Sequence, residues 1–111
     1  MGSHTKLEGL KVVEVFPGIF RRTMSYNAET MLCHFRMNKG ARVPPHNHAA
    51  VQIGYVIAGR VRFQFGDGRS AVMEPGASYV FDSMETHCAD VLEDSEVIEC
   101  FAPMRPEYVT P

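Results

Sequence analysis

No apolar run in this sequence reaches the length of a membrane-spanning helix. Nor does any stretch combine a charged start, an apolar middle and a small-residue cleavage site, as a secretory signal would. Neither sign of charge is in excess. Eleven Lys and Arg against 13 Asp and Glu give a formal charge of −2, which makes no electrostatic case for nucleic acid or an anionic membrane surface. Cysteine is scarce and odd in number. Cys33, Cys88 and Cys100 match no disulfide framework, so a reducing, cytoplasmic setting is expected. Amphipathic helices are missing too, because Gly and Pro punctuate the chain too often for long helices.

What is present reads as β-structure. The 111 residues, 45% of them hydrophobic, suffice for one domain with a single core. Met1 to His4 reads like an expression-vector remnant, so residues 1–5 are taken as a tag or disordered start and 6–111 as the domain; His4 is given no role. There is no internal repeat, linker or low-complexity segment. Lys11–Phe16 and Ile19–Tyr26 are expected strands separated by Pro17-Gly18. Glu29–Met37 places Met31, Cys33, Phe35 and Met37 on one face and His34 on the other, toward solvent. Val51–Ala58 is almost continuously apolar, as in a strand buried on both faces. One face would line the interior, with Tyr55 as packing, and the other would meet a second sheet or a second subunit.

Arg60–Phe65 alternates, with Val61, Phe63 and Phe65 inward, and Gly66-Asp67-Gly68 is a hairpin signal. Ser70–Glu74 and Ser78–Phe81 follow. His87, Ala89 and Val91 share one strand face, with Cys88 on the other. Glu93-Asp94-Ser95 reads as a tight turn. Glu96–Phe101 is the last strand, and Pro103 and Pro106 give an extended tail. Many short strands at close spacing argue for a sandwich or a barrel, and a barrel removes exposed strand edges.

The chemistry concentrates between Gly40 and Gly59. His46 and His48 are one residue apart, and Gln52 follows four residues after His48. On extended backbone these side chains share a face, and imidazoles so placed suit a divalent metal. The competing reading is two surface histidines in a polar loop.

The spacing of Gly40, His46, His48, Gln52 and Gly59 resembles the first motif of the cupin family, with Gln52 where that motif usually has Glu. Gly76 and His87 keep the interval of the second cupin motif. Asp82 and Met84 replace its Pro and Gly, and Val91 its final Asn. The resemblance spans roughly Val12 to Tyr108. It implies an all-β fold, the cupin double-stranded β-helix or jelly-roll barrel, with one divalent ion (Zn, Ni, Mn or Fe) held by His46, His48, Gln52 and His87. It also implies a sheet-to-sheet homodimer. With Gln in place of Glu the centre would carry more positive charge, favour carboxylate ligands and suit non-redox chemistry.

Glu99 falls between Val97 and Phe101 on one strand face. The opposite alternation, with Ile98 and Cys100 inside, is equally open from the strand alone; a metal in the barrel favours Glu99 inward. The segment Glu99-Cys100-Phe101-Ala102-Pro103-Met104-Arg105 and the run Gln52-Ile53-Gly54-Tyr55-Val56 resemble the KdgF group of small cupins, which carries Asp-x-Phe-x-Pro-x-Arg at this place. This implies conversion of 4,5-unsaturated uronates, left by polysaccharide lyases, to linear ketouronates. Glu99 and Arg105 would be catalytic, Phe101 and Arg105 substrate-binding, and the substrate an anionic sugar. Tyr26 and Met24 are further candidates at the mouth. The alternatives are a sugar- or small-molecule-binding module without catalysis, and another metal-dependent cupin enzyme such as a dioxygenase.

Overall fold

The computed structural model describes residues 1–109. Eight strands run β1 (Val13–Phe16), β2 (Ile19–Tyr26), β3 (Met31–Met37), β4 (Arg42–His46), β5 (Val51–Gln64), β6 (Ser70–Met73), β7 (Ser78–Phe81) and β8 (His87–Ala102), followed by a 3-10 turn at Pro106–Tyr108. All pairings are antiparallel. The fold is therefore the expected all-β barrel, and its spine is one ladder. β5 and β8 pair almost end to end, from Val51 opposite Ala102 to Gln64 opposite Cys88. One half of this ladder continues through β3, β2 and β1 and, on the other side, β7; the other half carries β4 and β6.

Two sequence expectations fail here for one reason. Gly59 does not end a strand, and Glu93-Asp94-Ser95 is not a turn; both lie inside long strands that bend together. The register shifts between Val56 and Val61. Gly59 adopts φ +91°, and a Cβ there would lie 2.2 Å from Ser95 Oγ and 2.4 Å from the Asp94 carbonyl oxygen. Ser95 Oγ accepts from the Arg60 N–H at 3.0 Å and donates to the Glu93 carbonyl at 2.7 Å. Polar residues that would suit a hairpin turn instead fasten a bulged corner.

Alternation sets the interior. Met31, Cys33, Phe35 and Met37 are all buried, as are Val61, Phe63, Tyr79, Phe81, Val91, Val97 and Phe101. Along the first half of β5, Gln52, Gly54 and Val56 face inward, while Val51, Ile53, Tyr55 and Ile57 stand on the outer face, 39–54% exposed. Tyr55 is thus not barrel packing, and within one chain the strand is buried on one face only. His34 does sit on the outer side of β3, yet it is only 4% exposed, because its Nε2 pairs with Glu96 Oε2 at 2.5 Å. The tail does not stay extended either: Tyr108 folds back against Phe101 and Phe35, with ring centroids 5.5 and 6.4 Å away.

Gly59→Ala would place a side chain both in the left-handed region and against the opposite backbone. We expect a loss of at least about 2 kcal/mol, read from the midpoint of urea unfolding; an unchanged midpoint would contradict this account of the corner.

Candidate metal centre and proton-transfer site

The bent ladder brings the strand ends of the chemistry-bearing segments together. His46 closes β4 and pairs with His87, the first residue of β8. His48 lies in the following loop, and Gln52 is the second residue of β5. The ring centroids of the three histidines are 4.4, 5.1 and 5.5 Å apart. One nitrogen from each lies within 4.8 Å of the others, so these three could hold a metal ion.

Each ring is oriented the same way. Nδ1 of His46 lies 2.9 Å from the Pro44 carbonyl oxygen, Nδ1 of His48 2.8 Å from that of Ala50, and Nδ1 of His87 2.8 Å from that of Glu85. A carbonyl only accepts, so each Nδ1 carries the proton and each Nε2 presents a lone pair. Backbone contacts of this kind fix tautomer and orientation in metal-binding histidines. His87 also stacks on Phe81, centroids 4.1 Å apart with 7° between the planes. The 82–86 loop is tied to the His48 loop: Met84 N–H donates to the His48 carbonyl at 2.8 Å and Ser83 Oγ to that of Ala49 at 2.7 Å. Met84, standing at a cupin glycine position, has φ +64°; the backbone keeps the glycine conformation without the glycine.

Two observations test whether this donor set fits a cation. His87 Nε2 is buried without a hydrogen-bond partner. Gln52 Oε1 lies 3.0 Å from His48 Nε2, while the Gln52 amide nitrogen donates to Glu99 Oε2 at 2.6 Å. The amide orientation is set by the carboxyl group, so two lone pairs face each other. Protonation of His48 would relieve this, but burial lowers its pKa. A cation relieves it without that cost, and the residues fit one.

Glu99 projects inward and is 5% exposed. Burial raises its pKa, against the pull of its hydrogen bonds from Tyr79 and Gln52. The Tyr79 hydroxyl donates to the same oxygen, Oε2, at 2.6 Å, and burial raises that phenol well above its usual value. The Arg105 guanidinium lies over Phe101, 5.2 Å from the ring centroid, and over Tyr108 at 4.0 Å; its Nε donates to Glu107 Oε1 at 3.2 Å. A cavity of about 40 Å³ is lined by His46, Gln52, His87, Glu99, Phe101, Arg105 and Tyr108, among others.

The structure therefore brings all but two of the candidate site residues to one place: His46, His48, Gln52, His87, Glu99, Phe101 and Arg105. Tyr26 and Met24 are the exceptions: Tyr26 is exposed and neither lines the cavity. Sequence reasoning missed Tyr79, Gly54, Arg21 and Tyr108. Arg21 is buried on the inner face of β2, its guanidinium 4.3 Å from the Tyr108 centroid and its Nε donating to Thr23 Oγ1 at 3.1 Å. Strand alternation with Ile19 and Thr23 is the signal that could have found it.

The chain belongs to the cupin family: residues 33–101 match the cupin domain. Within that family it is similar to the pectin degradation protein KdgF of Dickeya dadantii (strain 3937), 30% identical over 98 residues that cover 86% of this chain and 88% of the relative. Among solved structures, KdgF from Halomonas sp. superposes with a TM-score of 0.91 at 31% identity, covering 98% of this chain and 100% of that one. An RmlC-like cupin from Shewanella frigidimarina NCIMB 400 gives a TM-score of 0.91 at 25% identity, over 98% and 97% of the two chains. Among the described residues no helix is long and apolar enough to cross a membrane.

Burial pushes His87 down to about 4, whereas an unfolded His titrates near ~6.5. Between these values the unfolded chain binds more protons. Stability of the metal-free protein is thus full above about pH 6.5 and falls as pH drops toward 4, by up to ~3 kcal/mol from this residue. Glu99, raised by burial, opposes this, because its folded form takes up a proton first. Urea unfolding of chelator-treated protein from pH 7.5 to 4.5 should show the decline, steeper in Glu99→Gln; a flat profile in both would contradict it.

Proposed function

We propose that this cupin is a metal-dependent enzyme that linearises 4,5-unsaturated uronates, with His46, His48, Gln52 and His87 as ligands of one divalent ion, Zn, Ni, Mn or Fe. The observation that carries the reading is the inward Glu99 carboxyl, hydrogen-bonded to the ligand amide of Gln52 and lining the same cavity as His46, His87, Phe101 and Arg105. The likeness to KdgF of Dickeya dadantii and Halomonas sp. supports the substrate class. When bound, the ion supplies positive charge that orients and polarises oxygen ligands.

The substrate is a cyclic enol ether bearing a carboxylate. Glu99, protonated, delivers its proton to carbon 4 while a water oxygen bonds to carbon 5; the water's second hydrogen returns to the Glu99 carboxylate. The product is a hemiketal. Its bond from carbon 5 to the ring oxygen then breaks as the carbon 5 hydroxyl loses its proton and the ring oxygen, still on carbon 1, gains one; the ketone is left at carbon 5, with no net redox change. Arg105 pairs with the substrate carboxylate, and Phe101 forms the wall on which the sugar rests. The three free cysteines fit a cytoplasmic protein.

In Glu99→Gln, the carboxamide oxygen can still accept from Tyr79 and Gln52, so fold and metal content should be kept. Turnover of unsaturated uronate should fall by roughly a hundredfold to ten-thousandfold. Elemental analysis should find about one ion per chain in the parent and loss in His46→Ala and His87→Ala. Parent turnover in Glu99→Gln would sink the mechanism, and full metal occupancy in both His variants would sink the ligand set.

The outer faces of β5 and β7 offer Val51, Ile53, Tyr55, Ile57 and Val80, all exposed, beside a shallow concavity lined by Leu32, Ile53, Tyr55, Ile98 and Cys100. A continuous apolar sheet face with no charge along the β5 row favours a self-complementary homodimer. Sedimentation should find a dimer at micromolar concentration, weakened at least tenfold in Ile53→Glu; a monomeric parent would remove this proposal.

A further inference from the structure

Across the barrel wall one row of residues runs Tyr79, Gly54, Glu99 and Cys33 in register. Gly54 does not adopt a left-handed backbone, so conformation does not call for glycine there. Space does. A Cβ at residue 54 would lie 2.3 Å from Tyr79 Cζ and 2.4 Å from its hydroxyl oxygen. The phenol crosses β5 directly over this glycine, held by Phe63 at 4.2 Å between ring centroids, and its hydroxyl ends 2.6 Å from Glu99 Oε2. Tyr79 is as buried as Glu99 but, unlike Glu99, does not line the cavity.

Both donors to Glu99, the Tyr79 hydroxyl and the Gln52 amide, converge on Oε2. A carboxyl oxygen without the proton accepts hydrogen bonds whether or not its twin is protonated. The pair is therefore satisfied in either state, provided the proton comes and goes at Oε1. Two bonds to one oxygen also stop the carboxyl from rotating and exchanging its oxygens.

We propose that Tyr79 is a positioning residue for proton transfer by Glu99: it pins Oε2 so that Oε1 alone faces the cavity, and Gly54 is the residue that gives it passage. This rests on the reading of Glu99 as the acid–base group. It adds a residue pair and assigns the transferring atom.

The test is Tyr79→Phe in the zinc-loaded, diamagnetic protein, which keeps the ring and its packing. On unsaturated uronate, kcat should fall roughly tenfold to a hundredfold, the scale of a misplaced catalytic group, with KM within about twofold. Independently of turnover, selective 13C labelling at glutamate Cδ should give a Glu99 resonance, assigned by its absence in Glu99→Gln, that shifts and broadens in Tyr79→Phe, with or without zinc. Parent kcat in Tyr79→Phe overturns the proposal, and so does an unmoved Glu99 resonance. If instead Glu99→Gln itself turns over at the parent rate, the acid–base reading falls, and the carbon resonance alone then decides whether Tyr79 fixes the carboxyl.

Discussion

The molecule depends on one ladder that bends. β5 and β8 pair along nearly their whole length, and a straight ladder of that length would keep Gln52 and His87 near its opposite ends. The shared corner at Gly59 and Ser95 folds it back on itself. The outer strands close around it, β4 sets His46 opposite His87, and Gln52 comes to line the same cavity as both. The site is thus made by closure of the barrel rather than by any single segment. Contacts between the 82–86 loop and residues 48–49 fix the last part, since a ligand set tolerates little drift.

The amide at position 52 connects the two halves of the chemistry. Its oxygen faces the histidines and its nitrogen donates to Glu99. A glutamate there, the usual cupin residue, would set a second carboxylate about one hydrogen bond from the first, and like charges so close do not both ionise. Glutamine removes that conflict and supplies a donor. The sequence argument for Gln52 concerned charge at the metal alone. The geometry adds that the same side chain is needed by the carboxyl group behind it.

How much could be read from the sequence follows from what each feature depends on. His46, His48, Gln52 and His87 were legible because residue type and spacing carry the signal. Glu99 needed a choice between two strand faces, and the cation argument chose the face the structure has. The corner at Glu93-Asp94-Ser95 was misread because a bulge inside a long strand uses the same short polar residues as a turn. His34 was misread because its cover, Glu96, lies on a strand sixty-two residues away. Tyr79 and Gly54 were invisible as a pair, since a glycine emptied to let a side chain pass looks like any strand glycine. Tyr108 depended on a tail that folds back, which neither periodicity nor motif records.

The polar groups inside the barrel sort by whether the protein satisfies them. Burying a carboxyl group, a phenol or an imidazole is costly without partners. Tyr79, Gln52 and Glu99 Oε2 bond to one another, and Nδ1 of His46, His48 and His87 each has its backbone carbonyl. These contacts hold regardless of ligand and belong to the scaffold. His87 Nε2 is left unpartnered, and the lone pairs of His48 Nε2 and Gln52 Oε1 oppose each other. Such groups would be selected against in a core built for stability alone. A cation between them would recover that energetic cost, so inside the cavity these unsatisfied atoms argue for one more directly than the histidines' mere proximity does.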